Sequence, residues 1–491
     1  MKRFPASGSG AGRGFSGTEK EAAMDIRLQK AVAVTAEYDI LVCGGGPAGL
    51  AAALAGRRGG LRTMLLEAEG QLGGMGTSGL VSHWLGGRSE DCRHWVVGGI
   101  FRELAEAAAA GGIAILPKPE PGRHHSPFGW NPAAGGSLTA GVPFDPFLMA
   151  HFLERTLLEA GVDILYMTRV VDASVSDGRL THVILHNKSG FSALAARLFV
   201  DATGDADLAA MSGCVTRLGR DGDGLMTPVT LQVHMDGIDQ EALASYIDSH
   251  DAPRFLEEIV KLRGRGEWPF AYDRFISVQM LRKGTFMVNT PRITGIDGTD
   301  GASVTRGLIQ GRREIVELLD IMRRHLPGCA DARIRAVAPL LGVRETRRIE
   351  GGFMLRVEDL VAGTEFPDTV GFSAYGWDLP DPLRPSWQPL HEKPPARKRA
   401  ITPIPYRIML PIPVGNLLCP GRAVSVEREV LGPLRVQAPC MAMGEAAGTA
   451  CLLAASSPVP AFPDVDAGAL QAALRGNGAV VDYDPDWEPK R

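Results

Sequence analysis

With 491 residues, 45% of them hydrophobic and 22% charged, the chain is longer than one simple core requires, and two domains are expected. A net charge of −4 leaves no basic footprint for a nucleic-acid partner. No apolar run reaches the ~18 residues of a membrane span, so no membrane partner is expected either.

The lead, residues 1–35, opens rich in Gly, Ser, Arg and Lys, lacks the apolar core of a secretory signal, and is expected to be disordered. Tyr38 to Cys43 is then a near-continuous apolar run, as a strand buried on both faces should be. Gly44-Gly45-Gly46-Pro47-Ala48-Gly49 forms a glycine turn. An alanine-rich helix runs on to Gly59-Gly60, and Leu65-Leu66-Glu67 ends a second strand in an acid. Strand, GxGxxG turn, helix, strand and an acid about 20 residues on make the dinucleotide-binding βαβ fingerprint. Gly44 permits the tight turn, Gly46 lets the backbone approach a pyrophosphate, and Gly49 lets the helix lie close to the sheet. The helix start offers N–H groups to phosphates. Glu67 is placed to accept hydrogen bonds from a ribose diol.

A second glycine pair, Gly73-Gly74, follows between Gln71 and Met75, and a helix is expected from about Gly99 to Ala110. Residues 117–145 are Pro/Gly-rich and carry His124, His125, Phe128, Trp130 and Asn131. A loop this long is functional or disordered, and it reads as a lid or pocket wall. Apolar spacing at Phe147, Leu148, Phe152, Leu153 and Leu157 predicts a helix from about Pro146 to Gly161. Residues 163–167, 170–175 and 180–186 read as a small meander. Arg197 to Asp205 reads as a buried strand ending in a polar turn. A nucleotide domain at 36–215 results. Residues 216–409 lack a nucleotide signature and form the candidate substrate domain, in which His234 points either into the site or outward. Residues 410–455 return to the first domain, with Pro439 in the first turn of a helix. The Pro/Asp-rich tail, 456–491, is expected to pack loosely. Seven scattered cysteines without a CxxC pair indicate neither a metal site nor a disulfide framework; reduced thiols in a cytoplasm are the expectation.

Together, GGGPAG at 44–49, Glu67, the pair at 73–74, VDATGDADLA at 200–209, GVRETRRIEGGF at 342–353, IPYR at 404–407, GRAVS at 421–425 and RVQAPCMAMGEAAG at 435–448 carry a family resemblance. The chain resembles the FAD-dependent oxidoreductases of the glutathione-reductase-like superfamily, in the branch related to the fumarate reductase and succinate dehydrogenase flavoproteins. The resemblance covers about residues 36–455. It implies an α/β fold: a Rossmann-like FAD-binding domain with an α+β substrate domain inserted. It implies FAD contacts at Gly44, Gly46, Pro47, Ala48, Gly49, Glu67, Gln71, Gly73, Gly74, Val170, Thr203, Gly204, Asp205, Gly421, Arg422, Pro439 and Cys440. Arg422 stands where many relatives carry an acid for the ribityl chain, and a phosphate contact is its other reading. The helix near Pro439 is expected to aim N–H groups at the flavin N1/O2 edge. There Cys440 is either a stabilised thiolate or a small buried residue beneath the ring. The His-Thr context used for covalent attachment in succinate dehydrogenases is missing, although His83 lies nearby, so noncovalent FAD is expected.

A flavin exchanges a hydride at N5, and the protein adds binding, orientation and proton transfer. Arg344 is the favoured substrate or flavin contact, sharing a face with Arg348 if the segment is helical. Equally, GVRETRR reads as a structural ion-pair cluster with Glu345 and Glu350, leaving Arg347 or Arg348 solvated. Tyr406 is the second catalytic candidate; Tyr375, Trp377 and His391 are candidate pocket linings, and no general base stands out. There is no second nucleotide fingerprint and no redox CxxC, so no dedicated nicotinamide domain is expected. The expected activity is hydride transfer between flavin N5 and a small organic substrate at a C–H or C=C bond, in a homo-oligomer, with the electron donor or acceptor unknown. The alternatives are a flavin monooxygenase, whose halogenase signature WxWxIP is absent, and a non-catalytic FAD-binding protein.

Overall fold

The computed structural model describes residues 30–116, 141–250, 254–388, 390 and 394–487. Most of the lead, residues 117–140 of the lid-like segment with its two histidines, and His391 lie outside the described residues.

The first half builds β1 (Val34–Cys43), α1 (Pro47–Arg58), β2 (Thr63–Leu66), α2 (Gly99–Ala110), α3 (Pro146–Ala160), β3 (Asp163–Leu165), β4 (Arg169–Ser176), β5 (Arg179–Asn187) and β6 (Gly190–Asp201). They form a seven-stranded sheet in the order β3-β2-β1-β6-β5-β4, and the short strand Leu417–Leu418 adds to β6. β3, β2, β1, β6 and the 417–418 strand pair in parallel, while β4, β5 and β6 are antiparallel. The apolar run of β1 is explained by its neighbours. Ile40 and Val42 enter one hydrophobic core, and Leu41 and Cys43 enter another on the opposite face. Residues 163–165 are not part of the meander: they are a parallel edge strand on β2, because α3 returns the chain across the sheet. The true meander is β4-β5-β6.

The second half has a separate four-stranded antiparallel sheet, from β7 (Val233–Asp236), β8 (Ser277–Gln279), β9 (Phe286–Val288) and β10 (Arg333–Val337), in the order β8-β9-β7-β10. Helix α4 (Gly301–His325) covers one face, its Ile315, Leu318, Ile321 and Met322 sharing a core with Val229, Leu231, Val233 and Met235. That core draws on residues 229–341 plus Leu80. The expected 216–409 unit is therefore too wide. From Ile349 onward most buried apolar side chains, including Val370 of the hairpin strand β11 (Thr369–Ser373) and Ile404 of β12 (Thr402–Pro405), pack on the cores of the first sheet, while Phe372 and Ile401 form a small cluster with Val96 and Trp487.

Helix α5 (Gln437–Ala455) lies against α1 almost backbone to backbone. A Cβ on Gly444 would sit 2.0 Å from the Ala48 carbonyl oxygen. By length and composition α5 is apolar enough to cross a membrane even though Gln437 and Glu445 interrupt its apolar run, and most of it is buried inside the protein. The expectation of a loose tail also fails. Asp466 caps a helix over Ala467–Gly476 by accepting from the Ala469 N–H at 2.7 Å, and Leu470 and Leu474, four apart on one face, are fully buried.

Candidate functional site

The two glycine loops meet over the end of the first sheet. A Cβ on Gly49 would stand 1.8 Å from the Gly44 carbonyl oxygen, so α1 can start only with glycine there. The Gly73 N–H donates to the Gly45 carbonyl at 2.9 Å, which ties the second loop to the first. A Cβ on Gly46 would have no heavy atom nearer than 4.0 Å, so its outer face is open. Pro47 is the first residue of α1, and Ala48 is buried against α5. Together these form a cradle of backbone that a pyrophosphate fits.

Glu67 is buried at the edge of that cradle. Its two carboxylate oxygens accept from the N–H groups of Gly45 and Glu69, each at 2.7 Å. Each oxygen keeps a second lone pair, so a ribose hydroxyl can still donate to it. Burial pushes its carboxyl up, against those two hydrogen bonds. Thr203 sits in a turn organised by a residue the motif reading passed over. Asp201, fully buried, accepts from the Thr203 N–H and hydroxyl (3.1 and 2.7 Å) and from the Ala209 N–H (2.9 Å). Burial pushes it up to about 6. An acid followed two residues on by threonine was the available signal.

Arg422 is already engaged within the protein. It donates to the Gly204 carbonyl at 2.7 Å and pairs with Asp205 at 2.6 Å, and Asp205 also accepts from the Thr346 hydroxyl. Gly421 precedes it in the turn after 417–418, Gln71 is half-buried ahead of the second glycine pair, and Val170 is a half-buried member of β4 packed on the first sheet's core. Pro439 is the third residue of α5. The thiolate reading of Cys440 fails: its thiol donates to the Leu434 carbonyl, and burial pushes it up to about 12.

A cavity of about 1180 Å³, partly open to solvent, joins the two halves. The cofactor side contributes Met75, Val81, His83, Leu85, Val436 and Gln437; the second sheet contributes Thr230, Gln232, Ile276, Val278, Met287 and Asn289. Among the described residues, six arginines line it (254, 274, 292, 344, 422 and 435) and one carboxylate, Asp378. Gln437 opens α5. Its amide nitrogen donates to the Val81 carbonyl at 2.8 Å, while its buried amide oxygen has no partner among the described residues. An orphaned polar atom at a helix N-terminus fits the edge of a flavin, which alternates acceptors with one N–H.

Arg344 does not lie on a helix. Residues 343–346 are irregular and 347–349 form a short strand, so the shared face with Arg348 does not exist. Arg344 reaches the cavity and donates to the Pro228 carbonyl (2.7 Å), the Thr230 hydroxyl (3.1 Å) and the Asn289 amide oxygen (3.3 Å). Burial, then Arg292 and Arg435, push it down to about 9, so it remains charged at neutral pH. Its neighbours are the structural ones. Arg348 is buried beside Glu345, Arg347 pairs with Asp207 at 2.8 Å, and Glu350 pairs with Arg217. Neither Arg347 nor Arg348 is a solvated charge. Asp378 binds Arg435 (2.8 Å) and accepts from the Tyr375 hydroxyl (2.9 Å). Burial alone would raise it, but Arg435, Arg292 and Arg344 hold it well below the carboxylate range.

Tyr406 is a correction. It is buried in the first core, its hydroxyl donates to the Phe462 carbonyl at 3.1 Å, and it does not line the cavity. The tyrosine of the IPYR motif packs in the first core. His234 is buried too. Its Nε2 contacts the Leu80 carbonyl at 3.1 Å, and burial pushes it down to about 4. His83 does line the cavity, and burial pushes it down to about 3, so it is neutral.

The chain belongs to the FAD dependent oxidoreductase family, which it matches over residues 39–474. It is an FAD-dependent oxidoreductase, and FAD is its cofactor. No curated protein matches the chain. Among solved structures it is similar to a geranylgeranyl bacteriochlorophyll reductase-like protein from Thermoplasma acidophilum, at 12% identity over 90% of this chain and 84% of that one, with a TM-score of 0.43. It is also similar to p-nitrophenol 4-monooxygenase from Pseudomonas putida, at 13% identity over 90% and 81%, with a TM-score of 0.39.

Proposed function

We propose that this flavoenzyme moves a hydride between flavin N5 and a small organic substrate at a C–H or C=C bond. One observation carries the reading: one cavity is lined on one side by the start of α5 and the loop after the second glycine pair, and on the other by residues of and beside the second sheet, with arginines from the connecting loops around it. FAD when bound supplies the two-electron chemistry. The chain does the rest. The loops at Gly44–Gly49 and Gly73–Gly74 hold the pyrophosphate, and Glu67 takes the ribose. Gln437 and the α5 N-terminus meet the pyrimidine edge. Thr203, Gly204 and Asp205 line the route between, with Arg422 holding Asp205 and Gly204 in place. Arg344 orients the substrate, and the unit built on residues 229–341 is the substrate-binding insertion. Kinship with the fumarate reductase flavoproteins and noncovalent attachment of FAD belong to the same reading.

The test is anaerobic titration of the purified, FAD-loaded protein with NADH and NADPH, followed by visible absorbance. Neither nicotinamide is expected to bleach the flavin band, because the chain carries no second nucleotide fingerprint. Rapid bleaching would replace this reading with a monooxygenase. Acid precipitation should leave the flavin in the supernatant; flavin in the pellet would mean a covalent link.

A further inference from the structure

We propose that the substrate is an amphipathic organic acid, with an apolar body and one anionic head group, carboxylate or phosphate, rather than a short dicarboxylate. The inference rests on the flavoenzyme reading for the reaction, though the binding it predicts can be measured without turnover.

The apolar end follows from strand periodicity. In the segment leading into β7, Val229, Leu231, Val233 and Met235 enter the core under α4, so the alternate residues Thr230 and Gln232 face the cavity. The adjacent strands obey the same rule. Phe286 and Val288 face the core, and Met287 faces the cavity together with Ile276 and Val278. Val278 and Met287 are direct cross-strand partners. An apolar side-chain patch on the floor of a cavity otherwise rich in arginine favours an apolar ligand body over a second acid group.

The anionic end follows from charge. Asp378, the one carboxylate lining the cavity among the described residues, is already engaged by Arg435 and Tyr375. Arg344 binds only neutral acceptors. Arg292 is buried, donates to the Pro385 carbonyl at 2.9 Å, stacks over the Tyr272 ring at 4.1 Å, and leaves its Nε without a partner among the described residues. Buried guanidinium groups need a counter-charge; none of the described carboxylates forms a direct ion pair with these two, and Asp378, whose charge they feel, is already held by Arg435 and Tyr375. Arg292 and Arg344 line the same cavity, and Arg292 is the foremost charge acting on Arg344. Two cations on one cavity wall beside an apolar patch suit one anionic head group with an apolar body better than a short diacid, which would set a second charge against that patch. A planar oxyanion between two guanidinium forks is a strong bidentate arrangement.

The test is calorimetric titration of the FAD-loaded protein with hexanoate, hexyl phosphate, succinate and hexanamide. Hexanoate or hexyl phosphate, whichever head the site takes, should bind at least tenfold more tightly than both succinate and hexanamide. Arg292→Gln should lose at least tenfold of that affinity while leaving hexanamide unchanged. Met287→Gln should lose about fivefold through the apolar body. Flavin content and Tm check that each variant folds, and the ligand series on the unaltered protein stands without them. Succinate or hexanamide binding as tightly as the amphipathic acids overturns the proposal. So does no binding of any ligand to folded, flavin-loaded protein, which leaves the flavoenzyme reading intact. Amphipathic-acid binding by protein that never holds flavin does the reverse: it supports this site and sinks the hydride reading.

Discussion

The cofactor half and the substrate half of this molecule are built on opposite principles. Around the first sheet, the surfaces expected to hold FAD are backbone, and they lie close together in sequence: Gly44 to Gly49, Glu67, and Gly73-Gly74. Backbone approaches a ligand only where side chains are absent, so the glycines are forced and the motif is local. Around the second sheet, the cavity is lined by side chains from segments far apart in sequence, such as Met75, Gln232, Arg292, Arg344 and Gln437. Side chains converge from a distance because strands and loops deliver them, and no short motif records the convergence. One half is written as a pattern, the other as a topology.

The sharpest way to break the comparison is at the cradle. Gly49→Val pushes a side chain into the Gly44 carbonyl, 1.8 Å from its Cβ, and should abolish FAD retention while costing about 3 kcal/mol of stability. Flavin absorbance after gel filtration, with a denaturant melt, reads both. Gly444→Leu is next. Its Cβ meets the Ala48 carbonyl at 2.0 Å and forces α5 off α1, so about 2 kcal/mol of stability and much of the flavin affinity should go. A Gly444→Leu protein that keeps full flavin would show that the start of α5 does not hold the cofactor.

A smaller effect concerns Glu445, buried on α5 and accepting the Ile100 N–H at 2.9 Å. Burial pushes its carboxyl from 4.5 up to about 7, with Glu103 adding to the rise, and Arg58 and the Ile100 hydrogen bond opposing it. The folded protein therefore binds this proton more tightly than the unfolded chain. Stability from this group is full below about pH 4.5 and falls as pH rises to about 7. Tm at pH 5 and pH 8 in the wild type and in Glu445→Gln checks this. The substitution should flatten the decline, by about 2 °C. The smallest effect sharpens the comparison from the other side. Tyr406→Phe should cost about 1 kcal/mol, the worth of its hydrogen bond to Phe462, and leave turnover unchanged. Lost turnover at full flavin occupancy would restore Tyr406 to the site.

Legibility followed the same divide. The β1–α1–β2 unit and the glycine loops could be read because their constraint is local. Arg344 could be singled out by charge, but its surroundings could not: a charged heptapeptide does not say whether it is helix or strand, and it proved irregular, then extended. Tyr406 misled because an aromatic beside an arginine looks the same in a pocket and in a core. The tail misled because prolines and aspartates outweighed the Leu470–Leu474 spacing, which was the real signal.

The sequence by itself determined the dinucleotide turn, the buried strand beneath it and the family, since each follows from residue types a few positions apart. The tertiary structure alone decided that Arg292 and Arg344 line one cavity with no direct carboxylate pair among the described residues. It also decided that Ile276, Val278 and Met287 share their cavity, and that Arg422 is already engaged by Asp205. The physical reason is range. Glycine geometry and strand burial act along a few residues of chain, whereas charge balance and cavity shape are sums over everything the fold brings within a few ångströms.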